Sequence, residues 1–266
     1  MIDGADLFRL DGAVAIVTGA TGWLGGPMVS ALASAGATVY AVSRTPSKLD
    51  ALAGRLAEDG LTIRTRPVDV ASDAWPAFVS EVAEAHGRLD VLVNNAHVGH
   101  GGSLATATGE LFDEAYELAV KAAWRGAEAA RPGFAASVAA GGSPSVINVS
   151  SMYGVVAPDL AVYATEAGRT PPYYGAVKAA LLQLTRYQAA ELGPQGVRAN
   201  AIVPGPFPAE AAQANTSFIA DLGAHTLLRR IGRHDEIRTA LLFLASPHST
   251  FVTGSTVTVD GGWTAR

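Results

Sequence analysis

Short apolar runs rich in valine, isoleucine and leucine alternate along this chain with longer alanine-rich stretches. The runs fall at residues 13–17, 38–42, 61–68, 89–93, 146–149, 197–203 and Thr256–Val259. Alternation of this kind predicts strand–helix–strand units, and hence an α/β fold: a doubly wound, mainly parallel, seven-stranded sheet with helices on both faces. Strands two to six should be almost continuously apolar, because helices cover them on both sides. A first helix is expected over 22–35, stopped by Gly36, since glycine enters the left-handed region that ends helices. A second should have Thr45 as N-cap and Pro46 at its first position. Others are expected over 111–130 and 174–192. No repeat, long linker or charge block breaks the pattern, so residues 1–266 read as one domain.

In such sheets ligands bind beyond the carboxyl ends of the strands. The unusual residues fall there: Thr18-Gly19, Ser43-Arg44, Asp69, Asn94-Asn95, Ser150-Ser151 and Pro204-Gly205. Each alone marks a turn; together they line one rim. The stretch Thr18-Gly19-Ala20-Thr21-Gly22-Trp23-Leu24-Gly25-Gly26 follows the first strand and opens a helix. Free backbone N–H groups and the positive helix end can hold a pyrophosphate there, and glycine permits close approach. The expected fold is therefore Rossmann-type. A carboxylate ending the second strand would bind the ribose 2′-hydroxyl of NAD. That strand instead ends Val42-Ser43-Arg44, and serine with arginine can hold a 2′-phosphate. NADP(H) is favoured over NAD(H) as the cofactor.

Composition narrows the class further. With 49% hydrophobic and 16% charged residues, the chain can bury a large core. Its net charge of −5 argues against nucleic acid as a partner, since phosphate binding needs a basic face. The absence of cysteine excludes disulfides and thiolate chemistry and points to a reducing compartment. Residues 1–6 show no secretory pattern, and no apolar run reaches membrane-spanning length. The expectation is a soluble, cytoplasmic protein without a membrane partner.

Tyrosine and lysine are scarce, with 7 and three residues, yet Tyr174 and Lys178 stand four apart in a predicted helix and share a face. An ammonium beside a phenol stabilises phenolate and lowers the phenol pKa, so Tyr174 could exchange a proton with a substrate oxygen. Ser151 ends a strand and can donate to a carbonyl oxygen. Ser150, its neighbour, should point to the opposite face.

With these motifs the sequence resembles the short-chain dehydrogenase/reductase family, compact branch, over nearly its whole length. The resemblance is carried by the Thr18-Gly19 turn, Asp69-Val70, Asn94-Asn95-Ala96, Ser151 with Gly154, Tyr174 with Lys178, and Pro204-Gly205. Thr253-Gly254 and Val259-Asp260-Gly261-Gly262-Trp263 also match. It implies an NADP(H)-dependent oxidoreductase acting on CH–OH groups, with Ser151, Tyr174 and Lys178 as catalytic residues. It also implies that the cofactor is held by Gly19, Thr21, Gly22, Trp23, Leu24, Gly25, Ser43, Arg44, Asp69, Val70, Asn95, Ala96, Tyr174, Lys178, Pro204 and Gly205. In particular, Asp69 and Val70 would hold the adenine, Asn95 and Ala96 its ribose, and Lys178 the nicotinamide ribose. Pairing of the 111–130 and 174–192 helices between copies implies a homotetramer or dimer.

The pattern is also broken. The glycine spacing Gly19, Gly22, Gly25 is that of the extended, sugar-nucleotide branch. His97 stands where the family has glycine, and Ala119 where it has an asparagine that holds a relay water. Ala209 replaces a threonine that touches the nicotinamide amide. His97 and His100 have no carboxylate cluster beside them and read as solvated loop histidines rather than metal ligands. An insertion at about 152–173, with Tyr153, Asp159, Tyr163, Glu166 and Arg169, separates Ser151 from Tyr174 and should line a pocket for a sugar or sugar acid. In this it is similar to gluconate-dehydrogenase-like members. A sugar-nucleotide epimerase or dehydratase, and an impaired NADP-binding sensor, are the alternatives.

Overall fold

The computed structural model describes residues 3–97 and 99–265. Met1 and Ile2, Val98 between the two loop histidines, and Arg266 lie outside the described residues. Seven strands form one sheet: β1 (Val14–Thr18), β2 (Thr38–Ser43), β3 (Arg64–Pro67), β4 (Val91–Asn94), β5 (Ser145–Val149), β6 (Arg198–Pro204) and β7 (Thr256–Val259). Their order is β3-β2-β1-β4-β5-β6-β7 and every pairing is parallel. The chain therefore winds outward in both directions from the β1–β4 pair. Loops leaving these two strands part to opposite faces and open a crevice at their carboxyl ends.

Nine helices occur among the described residues: α1 (Gly25–Ser34), α2 (Pro46–Glu58), α3 (Ala74–His86), α4 (Gly109–Tyr116), α5 (Ala122–Ala139), α6 (Pro172–Leu192), α7 (Glu210–Gln213), α8 (Thr216–His225) and α9 (Ile237–Ala245). Side chains of α3, α5 and α6 pack one apolar cluster on one face of the sheet. Those of α1, α2 and α9 pack a second on the other. Strands β1, β4, β5 and β6 are buried along their whole length, which is why they are almost free of charge. Among the described residues no helix is long and apolar enough to cross a membrane.

Four expectations need correction. The first helix begins at Gly25 rather than residue 22, because residues 19–24 are spent in turns. Its end is as expected: Gly36 follows with φ +100. Thr45 occupies the N-cap of α2, but its side chain makes no capping bond. The third strand is only Arg64–Pro67, not the apolar run 61–68. It pairs with β2 alone, and a charged sheet edge resists stray pairing. Finally, the helix expected over 111–130 is two helices joined by a π-helical turn, Glu117–Lys121.

Candidate active site

The glycine-rich turn is locked by its neighbours. Thr18 Oγ1 accepts the Asn95 and Ala96 N–H groups at 2.9 and 3.2 Å, and Asn95 Nδ2 donates to the Thr18 and Gly19 carbonyls at 3.2 and 3.1 Å. Gly19 sits at φ +61 with Ala96 Cα 3.0 Å from where a Cβ would project, so no other residue fits without strain. Beneath this, Asn94 Nδ2 donates to Asn148 Oδ1 at 2.8 Å. Asn148 in turn donates to Thr185 and Gln188 on α6, each at 2.8 Å. A buried polar chain thus joins β4, β5 and the helix that carries Tyr174.

Above the strands lies a crevice of about 650 Å³. One end is lined by Gly19, Thr21, Gly22, Trp23, Leu24, Ser43 and Arg44. Thr21 and Ser43 share a hydrogen bond of 2.8 Å. Arg44 is exposed beside Lys48, whose place in the lining was not foreseen from the sequence; it enters one turn into α2. Val70, Asn95 and Ala96 line the middle, and Ser151, Tyr174, Lys178, Pro204 and Gly205 the far end. Of the residues assigned from sequence, Gly25 and Asp69 stand outside the lining. Gly25 begins α1 against the Gly19 carbonyl. Asp69 is exposed at the rim, where Oδ1 accepts the Ala71 N–H at 3.0 Å.

Tyr174 and Lys178 do share one face of α6, with Lys178 Nζ 5.7 Å from the Tyr174 ring centre. Gly154 lets the turn after Ser151 lie directly on the Lys178 backbone, 2.8 Å from its virtual Cβ. Ser151 is thereby held in the crevice beside the phenol, and its Oγ accepts the Tyr153 N–H at 3.2 Å. Ser150, expected on the opposite face, also lines the crevice, but its hydroxyl is spent on the Lys178 carbonyl, to which it donates at 2.7 Å. The electrostatics differ from expectation. Burial pushes the Tyr174 phenol up, and the downward pull comes from Ser151 rather than Lys178. The ammonium is turned to the Val149 carbonyl at 2.7 Å, and burial pushes it down to about 8.

His97 is the second residue that sequence reasoning missed. It lines the crevice, its ring edge-on to Tyr174 with centres 6.2 Å apart at 69°, while staying exposed to solvent as a loop histidine. His97 is exposed as a residue, yet protein crowding its ring, and then the Lys178 charge, push the imidazole down. Its position two residues beyond Asn95 was the available signal. His100 lies apart, 3.8 Å from Glu114. Among the described residues no group of three or more His, Asp or Glu could hold a metal ion.

The segment between Ser151 and Tyr174 folds into three short 3-10 turns and, against expectation, contributes none of residues 152–173 to the crevice lining. It carries a hydroxyl chain: Tyr153 and Tyr163 lie 3.2 Å apart, and Tyr163 meets Thr170 at 2.7 Å. Asp159 Oδ2 ties it to His225 Nε2 of α8 at 3.0 Å, and His225 stacks on Trp263, centres 5.2 Å apart.

A family model described as enoyl-(acyl carrier protein) reductase matches residues 19–264. An uncharacterised oxidoreductase of Mycobacterium tuberculosis is 38% identical, over 97% of this chain and 95% of its own. The L-xylulose reductase of Bos taurus is 35% identical, over 97% and 98%. Among solved structures, a gluconate 5-dehydrogenase from Burkholderia cenocepacia, in complex with NADP and tartrate, superposes with a TM-score of 0.85 at 30% identity, covering 99% of this chain and 100% of that one. The chain belongs to the short-chain dehydrogenase/reductase family.

Proposed function

We propose that the chain is an NADP(H)-dependent oxidoreductase that moves a hydride between the nicotinamide and a carbonyl or alcohol carbon, and that residues 1–266 act as one domain. The observation that carries this reading is the meeting of Ser151, Tyr174 and Lys178 at one end of a crevice whose other end is the glycine-rich turn with Arg44. The residues present fit the cofactor. Among the described residues Arg44 and Lys48 have no partner for their charges, and Thr21 and Ser43 add hydroxyls for a 2′-phosphate. Gly19 and Gly22 open the turn, with Trp23, Leu24 and Gly25 behind it, to a pyrophosphate. Val70, with Asp69 at the rim beside it, would hold the adenine, Asn95 and Ala96 its ribose, and Pro204 and Gly205 the nicotinamide end.

Bound NADP(H) supplies or accepts the hydride. Ser151 donates to the substrate oxygen and fixes it beside Tyr174. Tyr174 gives that oxygen a proton in reduction and takes it back in oxidation. Lys178 holds the nicotinamide ribose and keeps a cation near the phenol. A polar substrate, such as a sugar or sugar acid, suits the hydroxyl chain Tyr153–Tyr163–Thr170 in the segment 152–173. Similarity to a xylulose reductase and a gluconate dehydrogenase supports the same class.

The test is a cofactor-fluorescence screen of sugars, sugar acids, acyl ketones and steroids at several pH values. The wild type should bind NADPH more tightly than NADH and turn over at least one polar carbonyl. Tyr174→Phe should bind NADPH normally but lose turnover by about 10²- to 10⁴-fold. Tighter binding of NADH, or substantial turnover by Tyr174→Phe, would overturn the reading.

A further inference from the structure

Leu118, Phe207 and Ala209 supply apolar side chains to the crevice lining. Asn95 is spent on Thr18 and Gly19. His97 is a polar side chain of that lining, set beside Tyr174, where it can meet whatever extends from the reacting carbon. Its hydrogen-bonding character is determined by its surroundings. One ring nitrogen faces the Asn95 carbonyl, which can only accept, so that nitrogen carries the proton. Crowding by protein and the nearby Lys178 charge both oppose a second proton. The other nitrogen therefore presents a lone pair to the crevice beside Tyr174, and an acceptor there favours a donor on the substrate.

We propose that His97 is a specificity-determining residue, accepting a hydrogen bond from a hydroxyl next to the reacting carbon. The substrate class is then hydroxy-carbonyl compounds and the polyols they interconvert with, rather than plain ketones. This rests on the oxidoreductase reading above and narrows it. The side chain acts by binding, with no part in the proton or hydride transfer.

The test deletes the hydroxyl from the substrate and the acceptor from the protein in turn. Each carbonyl accepted in the screen is paired with its analogue lacking every hydroxyl adjacent to the carbonyl, beginning with hydroxyacetone and acetone. The wild type should prefer the hydroxylated partner by about five- to tenfold in kcat/KM, the scale of one hydrogen bond. His97→Phe should shrink that preference to within about twofold, mainly by raising KM for the hydroxylated compound. His97→Gln retains an acceptor and should keep most of it. Thermal unfolding and NADPH binding, unchanged in both variants, separate a lost contact from a damaged site. A wild type indifferent to the hydroxyl, or a His97→Phe variant that keeps the preference, overturns the inference. A wild type that reduces no carbonyl overturns the oxidoreductase reading on which it rests.

Discussion

At position 178 a lysine is only 2% exposed and has one backbone carbonyl as hydrogen-bond partner. Burial lowers its pKa from the ordinary 10.5 to about 8. Between those two values the unfolded chain binds a proton that the folded chain does not. Stability therefore rises with pH across that window. Below it the buried cation costs on the order of 3 kcal/mol, and the cost is lifted as pH climbs toward 10.5. A lysine retained at that cost is a functional rather than a packing choice. Lys178→Met should be at least as stable as the wild type at pH 7. Its advantage should narrow as urea unfolding is repeated from pH 8 to 10.5; a difference that ignores pH would refute the assignment of the shift.

The elements around the site meet through glycine and alanine. Helices α3 and α5 lie so close that a Cβ at Gly126 would come within 2.8 Å of the Trp75 ring, whose Nε1 donates to the Ala122 carbonyl at 2.9 Å. Gly54, in the middle of α2, has nothing within 4 Å of its virtual Cβ. The same change should thus act in opposite directions. Gly126→Ala should destabilise by about 1–3 kcal/mol through overpacking. Gly54→Ala should stabilise by about 0.5–1 kcal/mol through helix propensity. Denaturant midpoints for the pair decide it, and equal shifts would show that helix spacing adapts. The π-helical turn ahead of α5 places Ala119, 4% exposed, where the family resemblance expects asparagine. Nothing in the structure explains that substitution.

For the whole molecule, the outer faces of α5 and α6 carry Trp124 and Tyr187, 52% and 66% exposed, around one shallow groove. Large exposed aromatics flanked by Glu128, Arg131 and Glu191 make a surface suited to a second copy. A homo-oligomer, tetramer or dimer, is the assembly expected. Light scattering should give a multiple of 27.2 kDa, and Tyr187→Asp should reduce it. A wild-type monomer at micromolar concentration would count against this face.

Seven strands, their parallel winding and the turn at Thr18-Gly19 were legible in the chain because they depend on local chemistry. Apolar runs of strand length, helix-stopping glycine and a glycine-rich turn each declare themselves within about ten residues. So did Tyr174 and Lys178, whose spacing along one helix places them together. The amino-acid order alone also showed Ser151 at a strand end. What it left open concerned groups distant in sequence. The edge position of β3 overruled its apolar flank, and a π-turn divided a helix that composition left continuous. Lys48 joined Arg44, and His97 turned from a loop onto Tyr174, because separate loops converge where the sheet parts at β1 and β4. Ser151, not Lys178, came to temper the phenol, since burial and hydrogen-bond direction depend on which backbone carbonyl lies within reach. Spacing along the chain determines neighbours on one element; only packing between elements decides which charges are dry, which donors are spent and which lone pairs remain for a substrate.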